Sequence, residues 1–183
     1  MGPDLLAAPT TSPASLYRYR DGLYAADLLA AAIVEFDLFT WLADRQATFQ
    51  DLCAQFDLHP RPADVLVTLC VARGYLQRVG EHLTLTTQAR EHLVASSPWY
   101  LGPYFGALRE RPFVQDFVGV LHTGRPANWG GGGQDWHAAM ADEPFARRFT
   151  AAMDCRGAYL GQALAAALDL AGHSRLLDIG GGS

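Results

Sequence analysis

The sequence of 183 residues has little positive charge and few cysteines. Lys and Arg number 14 against 19 Asp and Glu, which gives a net charge of −5. Because nucleic-acid binding is driven largely by neutralising phosphates, this balance argues against a nucleic-acid partner. Cys53, Cys70 and Cys155 are far apart and fit neither a disulfide framework nor a metal-ligand spacing, so we interpret them as free buried thiols in a reducing compartment.

Long apolar runs and clustered catalytic groups are also missing. The longest apolar run, residues 28–34, is too short to cross a bilayer, and the chain does not open on a signal-peptide pattern. These features predict a soluble cytoplasmic protein without a membrane partner. No two of the six histidines lie three or four residues apart, which argues against a helical metal site. No serine or cysteine has the context of a nucleophile elbow, and we assign no catalytic residue within the chain.

The first half of the chain predicts three helices and a hairpin. Apolar spacing predicts a helix over residues 24–34, with a break near Asp37. Thr48, followed three residues later by an acid, predicts the capping box of a second helix. A third helix over residues 60–74 opens on prolines and ends at glycine. Two short extended runs around Gly80 predict a β-hairpin, and Thr86 or Thr87 would cap the next helix. This order is typical of a winged-helix module.

The second half predicts further helices and then a strand. Aromatic and apolar residues over 99–121 predict one or two helices interrupted by prolines, and helices over 135–141 and 144–170 follow. Leu176, Leu177 and Ile179 predict a buried strand leading into a glycine-rich loop. The predicted class is mainly α. Its parts are a mobile arm (residues 1–20), a winged-helix dimerisation domain (21–96), a helical connector and substrate lid (97–172), and the incomplete start of a Rossmann-like α/β domain (173–183).

A winged helix often binds DNA through its third helix. Here that helix offers only Arg61 and Arg73, at its two ends, so base edges and phosphates would find few partners. The module is therefore better interpreted as a dimerisation scaffold, and a winged-helix regulator is kept as an alternative.

The glycine loop is the sharpest chemical signal. Asp178, Gly180, Gly181 and Gly182 lie at the carboxyl end of the predicted strand, where a nucleotide-like ligand would meet a helix start. The loop alone does not separate NAD from other adenosine cofactors. As an isolated motif it is also compatible with a simple tight turn.

The order of these parts resembles the N-terminal half of class I S-adenosylmethionine-dependent O-methyltransferases that act on small molecules. The resemblance covers roughly residues 20–183. Asp37 stands where that family often has glycine, and aspartate tolerates a left-handed backbone better than most residues. Five stretches in the family's order carry the resemblance: VEFDLFTWLAD, DLHPRPADVLVTLCVARGYLQR, LTLTTQAREHL, DEPFARRFTAAM and LLDIGGGS.

The resemblance implies a cofactor, a mechanism and an acceptor pocket. S-adenosylmethionine would bind with its methionine and ribose over the loop of Asp178 and the three glycines. A substrate hydroxyl would attack the sulfonium methyl while a base, absent from this chain, takes the proton. Phe149 and Met153 match a Phe and a Met that line the family's acceptor pocket. Further walls would come from Trp136, Tyr104 and Phe105. For each of these residues, ordinary core packing is the alternative.

The expected protein is a homodimer whose catalytic half comes from a continuation of this chain or from a second polypeptide. The apolar face of Leu28, Ile33 and Phe36 would pair with a second copy. The acceptor would be a small, flat, partly apolar molecule such as a phenol or polyketide, and the 183-residue chain alone would be inactive. A non-methylating member of the same scaffold is the other alternative, because a fold does not fix a reaction.

Overall fold

The computed structural model describes residues 9–127 and 136–179, and in these segments the chain is mainly helical, which confirms the predicted class. The helices are α1 (Ala14–Val34), α2 (Leu38–Leu42), α3 (Phe49–Phe56), α4 (Pro60–Ala72), α5 (Thr87–His92), α6 (Gly102–Gly106), α7 (Pro112–Thr123), α8 (Trp136–Ala141) and α9 (Glu143–Ala167). The strands are β1 (Ala47–Thr48), β2 (Leu76–Val79) and β3 (His82–Leu85).

The strands form a small antiparallel sheet in the order β1-β3-β2. The predicted hairpin is present, with Val79 paired to His82 across a turn in which Gly80 has a φ of 60°. Ala47 pairs with Leu83 and adds β1 to the other edge of β3. The sequence did not predict β1, because two residues are too few to show an alternating pattern.

Predicted caps begin several of the helices. Thr48 and Asp51 form a full capping box: the Thr48 hydroxyl accepts from the Asp51 amide at 3.2 Å, and Asp51 accepts from the Thr48 amide at 2.9 Å. Thr86, rather than Thr87, caps α5. Asp37 has a φ of 43°, so the left-handed break predicted there is confirmed. These features depend on residues within one turn of each other, which is why the sequence predicts them.

The core lies around the second half of α1, which packs against α4, α6 and α7 of the same chain. Leu28, Ile33 and Phe36 are only 7%, 3% and 9% exposed. The prediction that these three residues form an open dimerisation face is therefore wrong, because neighbouring helices of the same chain already cover them. Cys70 is also fully buried, whereas Cys53 is half-buried and Cys155 is exposed, so the prediction of buried thiols fails for Cys155.

Helix α1 begins at Ala14, inside the segment predicted as a mobile arm over residues 1–20; residues 1–8 lie outside the described part. Its first three turns carry exposed apolar side chains, including Tyr19, which is 86% exposed. Buried positions begin only at Asp27. Because the apolar periodicity reflects burial, it marks the buried end of this helix and not its beginning.

The chain divides into two compact units. The first runs from Pro13 through α7, and the second contains α8, α9 and the residues that follow, together with residues 9–12. The division falls inside the segment predicted as a connector over 97–172. The winged-helix assignment of the first unit and the Rossmann-like assignment after residue 173 stay predictions.

Residues 173–178 have no regular secondary structure, so the strand predicted around Leu176 and Leu177 is not formed. Leu176, Leu177 and Ile179 are 87%, 80% and 86% exposed. A strand needs a neighbour to take its backbone hydrogen bonds, and the described chain supplies none here. Helix α9 ends at Ala167, three residues before its predicted end. Within the described residues, no helix combines the length and the apolarity that a membrane span requires.

Candidate functional site

Helix α9 positions Phe149 and Met153. Its start is fixed by Asp142, whose carboxylate accepts from the Phe145 amide at 3.1 Å. The rings of Phe145 and Phe149 stack with their centroids 6.3 Å apart and an interplanar angle of 17°. Met153 follows Phe149 by one turn and is 47% exposed. Phe145, Phe149 and Met153 thus form a continuous apolar ridge on the first half of α9, which we call the aromatic ridge.

Tyr104 and Phe105 lie on α6, in the first unit. Tyr104 is 79% exposed, whereas Phe105 packs against the core. The two rings meet edge to face at 6.1 Å. Tyr104 is therefore free to contact a ligand, and the position of Phe105 fits the alternative of core packing.

The remaining predicted residues are less completely described. Trp136 begins α8, but its side chain lies outside the described part of the chain. Asp178 is exposed. Gly180, Gly181 and Gly182 lie outside the described residues, so the structure does not bear on the predicted cofactor loop.

The structure also contains a cavity that the sequence did not predict. It has a volume of about 240 Å³ and lies between the C-terminal end of α1 and α6. Burial, and secondarily the charge of Asp37, raise the pKa of Tyr100 in its wall. A Cβ atom at Gly102 would overlap the outer end of the Tyr100 ring, so a larger residue there would displace that ring. The lining residues are Ile33, Val34, Asp37, Tyr100, Gly102, Gly106 and Arg109. At this volume the cavity is smaller than the usual pocket for an organic ligand.

Two arginines attach the α6–α7 connection to α1. Arg109 donates to Glu35 at 3.2 Å and to the carbonyl oxygen of Val34. Arg111 donates from Nε and Nη2 to the two carboxylate oxygens of Asp27 at 2.9 and 3.3 Å. Asp27 is 4% exposed, and its hydrogen bond and charge raise the pKa of Arg111. These pairs fix the start of α7. Sequence reasoning missed them because their members are at least 74 residues apart.

Within the described residues, no three His, Cys, Asp or Glu side chains are grouped so that they could hold a metal ion. Each unit, taken by itself, exposes apolar surface: the second unit has the aromatic ridge, and the first has the Tyr104 ring. Such surfaces suit the binding of an aromatic molecule better than acid–base chemistry.

Comparison with known proteins identifies two related sequences. No family model matches the chain. It is 33% identical over 172 residues to the tetracenomycin polyketide synthesis 8-O-methyltransferase of Streptomyces glaucescens, covering 92% of this chain and 50% of the relative. It is 28% identical over 174 residues to the 3-hydroxy-5-methyl-1-naphthoate 3-O-methyltransferase of Streptomyces sahachiroi, covering 93% and 49%.

A solved structure has a similar fold. An O-methyltransferase family 2 protein from Planctomyces limnophilus, crystallised with apigenin, matches with a TM-score of 0.77 at 23% identity, covering 96% of this chain and 47% of that one. The chain is therefore related to the O-methyltransferases over nearly its whole length, and the resemblance predicted from the sequence is confirmed. The chain spans about half the length of the curated relatives that it matches.

Proposed function

We propose that this chain is part of an S-adenosylmethionine-dependent O-methyltransferase that acts on a small aromatic or polyketide-like molecule. The observation that carries the proposal is the 33% identity with the tetracenomycin 8-O-methyltransferase over 92% of the chain. Because the chain spans half of that relative, the catalytic sheet domain would come from a continuation of the chain or from a second polypeptide. The 183-residue chain alone would not transfer a methyl group.

The acceptor would be a flat phenol. One relative is named for a polyketide and the other for a hydroxynaphthoate, and both names specify methylation of oxygen. The aromatic ridge, with Phe149 stacked on Phe145 and a flexible Met153 beside it, supplies the kind of surface that such rings pack against. Tyr104, Phe105 and Trp136 are proposed as further walls of the acceptor site.

The cofactor would be S-adenosylmethionine, which supplies an activated methyl group when bound. Asp178 and the loop of Gly180, Gly181 and Gly182 are proposed to lie beside it. The contribution of this chain would be positioning: the aromatic ridge would hold the acceptor in a fixed orientation, and a fixed orientation of the two reactants lowers the barrier to methyl transfer. The homodimer remains part of the proposal, with a different face from the one first predicted.

The proposal is tested on the protein purified from its producing organism. Its intact mass and any co-purifying polypeptide are measured first. Methyl transfer from S-adenosylmethionine to hydroxynaphthoates and polycyclic phenols is then followed by the mass gain of one methyl group. We expect a methylated phenol from the native protein and none from the recombinant 183-residue chain. A native preparation that consumes the acceptor without methylating it would support the non-methylating alternative.

Two substitutions test the role of the aromatic ridge. Phe149→Ala and Met153→Ala should raise KM for the acceptor several-fold while leaving KM for S-adenosylmethionine unchanged, because the ridge would contact only the acceptor. Arg148→Ala, an exposed position on the same helix, is the matched control and should change neither constant. Equal effects of all three substitutions would exclude the ridge from the acceptor site.

A further inference from the structure

The cavity between the C-terminal end of α1 and α6 has a positive charge in its wall that is already neutralised. Arg109 donates to Glu35 at 3.2 Å and to the carbonyl oxygen of Val34. The other carboxylate oxygen of Glu35 accepts a hydrogen bond from Gln115 at 3.1 Å. Both members of this ion pair therefore have partners within the protein, and neither one needs a ligand.

Asp37, in the same wall, has no such partner. Its side chain makes no hydrogen bond or ion pair with any residue in the described part of the chain. Its charge nevertheless acts on the cavity, because it contributes to the raised pKa of Tyr100. Since Arg109 and Glu35 cancel each other, Asp37 leaves one negative charge unmatched, and such a site attracts a cation.

The other groups around the cavity also favour a cation. Ile33 and Val34 belong to the last turn of α1 and line the cavity. The carbonyl groups at the C-terminal end of a helix carry a partial negative charge, and the last turn of α1 contains no basic residue. The ring of Tyr100 lies in the same wall, and an aromatic face attracts positive charge.

The size of the cavity suits a small organic ion. Its volume of about 240 Å³ equals that of roughly eight water molecules, which is too little for a polycyclic acceptor. Asp37 is the single acidic side chain among the lining residues, and one carboxylate is too few to hold a metal ion. Ile33 and Val34 supply methyl groups. Gly106 leaves room beside them, because a Cβ atom added there would meet nothing within 4 Å.

We propose that this cavity binds a small alkylammonium ion, with Asp37 pairing with the ammonium group and Ile33, Val34 and Tyr100 contacting the alkyl chain. Asp37 and Arg109 are exposed, so a ligand can enter from water. A carboxylate ligand is disfavoured, because Asp37 would repel it and Arg109 is already paired. All lining residues belong to the first unit, and the inference does not depend on the proposed function.

Methyl NMR spectroscopy of the 183-residue chain tests the proposal with butylammonium, 1-butanol and butyrate, which are similar in size. We expect butylammonium to shift the Ile33 and Val34 methyl signals saturably and to bind several-fold more tightly than 1-butanol, whereas butyrate should leave the signals unchanged. Leu69 reports non-specific binding, because it lines a second cavity, of about 200 Å³, whose charged side chain is Arg73. Its signals should not move.

Several results of this titration would overturn the inference. The absence of a saturable shift at Ile33 and Val34 would exclude the site. Equal binding of butylammonium and 1-butanol would show that the cavity selects only for apolar groups, and tighter binding of butyrate would assign the site to Arg109. Shifts at Leu69 equal to those at Ile33 would show that the ion binds without selectivity.

Variants then test the individual residues. Asp37→Asn removes the charge and keeps a residue that tolerates a left-handed backbone, so butylammonium should bind several-fold more weakly. Asp57→Asn is the matched control, because Asp57 is also exposed and has a φ of 52° but does not line the cavity; its dissociation constant should equal that of the wild type. Gly106→Leu fills the cavity and should abolish the shifts. Wild-type binding in Asp37→Asn or Gly106→Leu, or equal weakening by both aspartate variants, would overturn the proposal.

Discussion

Cys70 lies fully buried on α4, and burial raises the pKa of its thiol from its ordinary value of 9.0 to about 12. The folded protein therefore holds this proton more tightly than the unfolded chain does. The resulting contribution to stability is complete below pH 9.0, the thiol's ordinary pKa, and is lost as the pH rises toward about 12. Cys155 is exposed and offers a comparison within the same chain.

We expect Cys70→Ala to flatten the alkaline loss of stability. Between pH 9 and about pH 11, the free energy of unfolding of the wild type should fall by roughly 2 kcal/mol more than that of the variant. Urea unfolding at a series of pH values measures this difference, and Cys155→Ala should follow the wild type. Parallel plots of unfolding free energy against pH for the wild type and Cys70→Ala would mean that the Cys70 thiol does not cause the loss of stability at alkaline pH.

The Asp27–Arg111 ion pair is a second contact between individual residues whose contribution to stability can be measured. Asp27→Asn keeps the shape of the side chain and removes the charge that Arg111 contacts through two hydrogen bonds. We expect a loss of about 1–2 kcal/mol in the free energy of unfolding, because asparagine offers Arg111 one acceptor oxygen in place of two and no opposite charge. Asp116→Asn, an exposed change on α7, should stay within about 0.5 kcal/mol of wild type. Urea midpoints at unchanged m would report both values, and equal midpoints for the two variants would contradict the assigned role.

At the scale of elements, α7 has one glycine inside it and a second glycine immediately after its last residue, and the two positions have opposite requirements. Gly124 ends the helix with a φ of 66°, and a Cβ atom there would lie 2.5 Å from the His59 ring. Gly119 lies inside the helix, where an added Cβ would meet nothing within 4 Å. The first position requires glycine for both its backbone and its contact, whereas the second requires it for neither.

Substitution by alanine should therefore change stability in opposite directions. Gly124→Ala should lower the free energy of unfolding by about 1–2 kcal/mol or more, from left-handed strain and displacement of His59. Gly119→Ala should raise it by about 0.5–1 kcal/mol, from helix propensity. Thermal and urea unfolding of the two variants measure this. Effects of the same sign would mean either that glycine is not required at Gly124 or that the surroundings of Gly119 leave no room for a methyl group.

The sequence predicts those elements whose structure depends on residues close together in the chain. The capping box at Thr48, the hairpin turn at Gly80 and the left-handed Asp37 each depend on neighbours within four residues, and all three are present. The first turns of α1 and the two-residue β1 carry no such local signal. The strand predicted at Leu176 has the right pattern, but its formation depends on partner strands and not on its own residues.

In the candidate site, too, the sequence predicts the features that depend on local spacing and misses those that join distant segments. The placement of Phe149 and Met153 on one face of α9 follows from helical spacing, so the sequence could predict it. The cavity beside Tyr100 and the Asp27–Arg111 pair join segments separated by more than 60 residues, which no pattern in a single sequence connects. The role of Leu28, Ile33 and Phe36 was wrongly predicted for a related reason: apolar spacing identifies a face that is buried, but not which chain buries it.

At the scale of the whole molecule, the first unit exposes an apolar stripe on the first half of α1. Leu16, Tyr19 and Leu23 are spaced three and four residues apart and therefore lie on one side of the helix. They are 70%, 86% and 61% exposed. Because the originally predicted face is buried in the core, this stripe is the surface of α1 that remains available for the proposed homodimer. A pairing of two identical stripes would be isologous, with each copy covering the other.

We expect Leu23→Glu to weaken self-association measured by sedimentation equilibrium, with at least a tenfold rise in the dimer dissociation constant, which corresponds to about 1.4 kcal/mol. The reason is that two symmetry-related glutamates would lose water inside one apolar contact. Arg18→Glu, on the opposite side of α1, also adds an acid to an exposed position and should leave the constant within a fewfold of wild type. Unfolding midpoints of both variants should match the wild-type monomer, since neither side chain is buried. The stripe is not the dimer contact if the wild type stays monomeric up to the highest soluble concentration, or if both variants weaken association equally. Either result would leave the homodimer proposal without a supporting surface on α1.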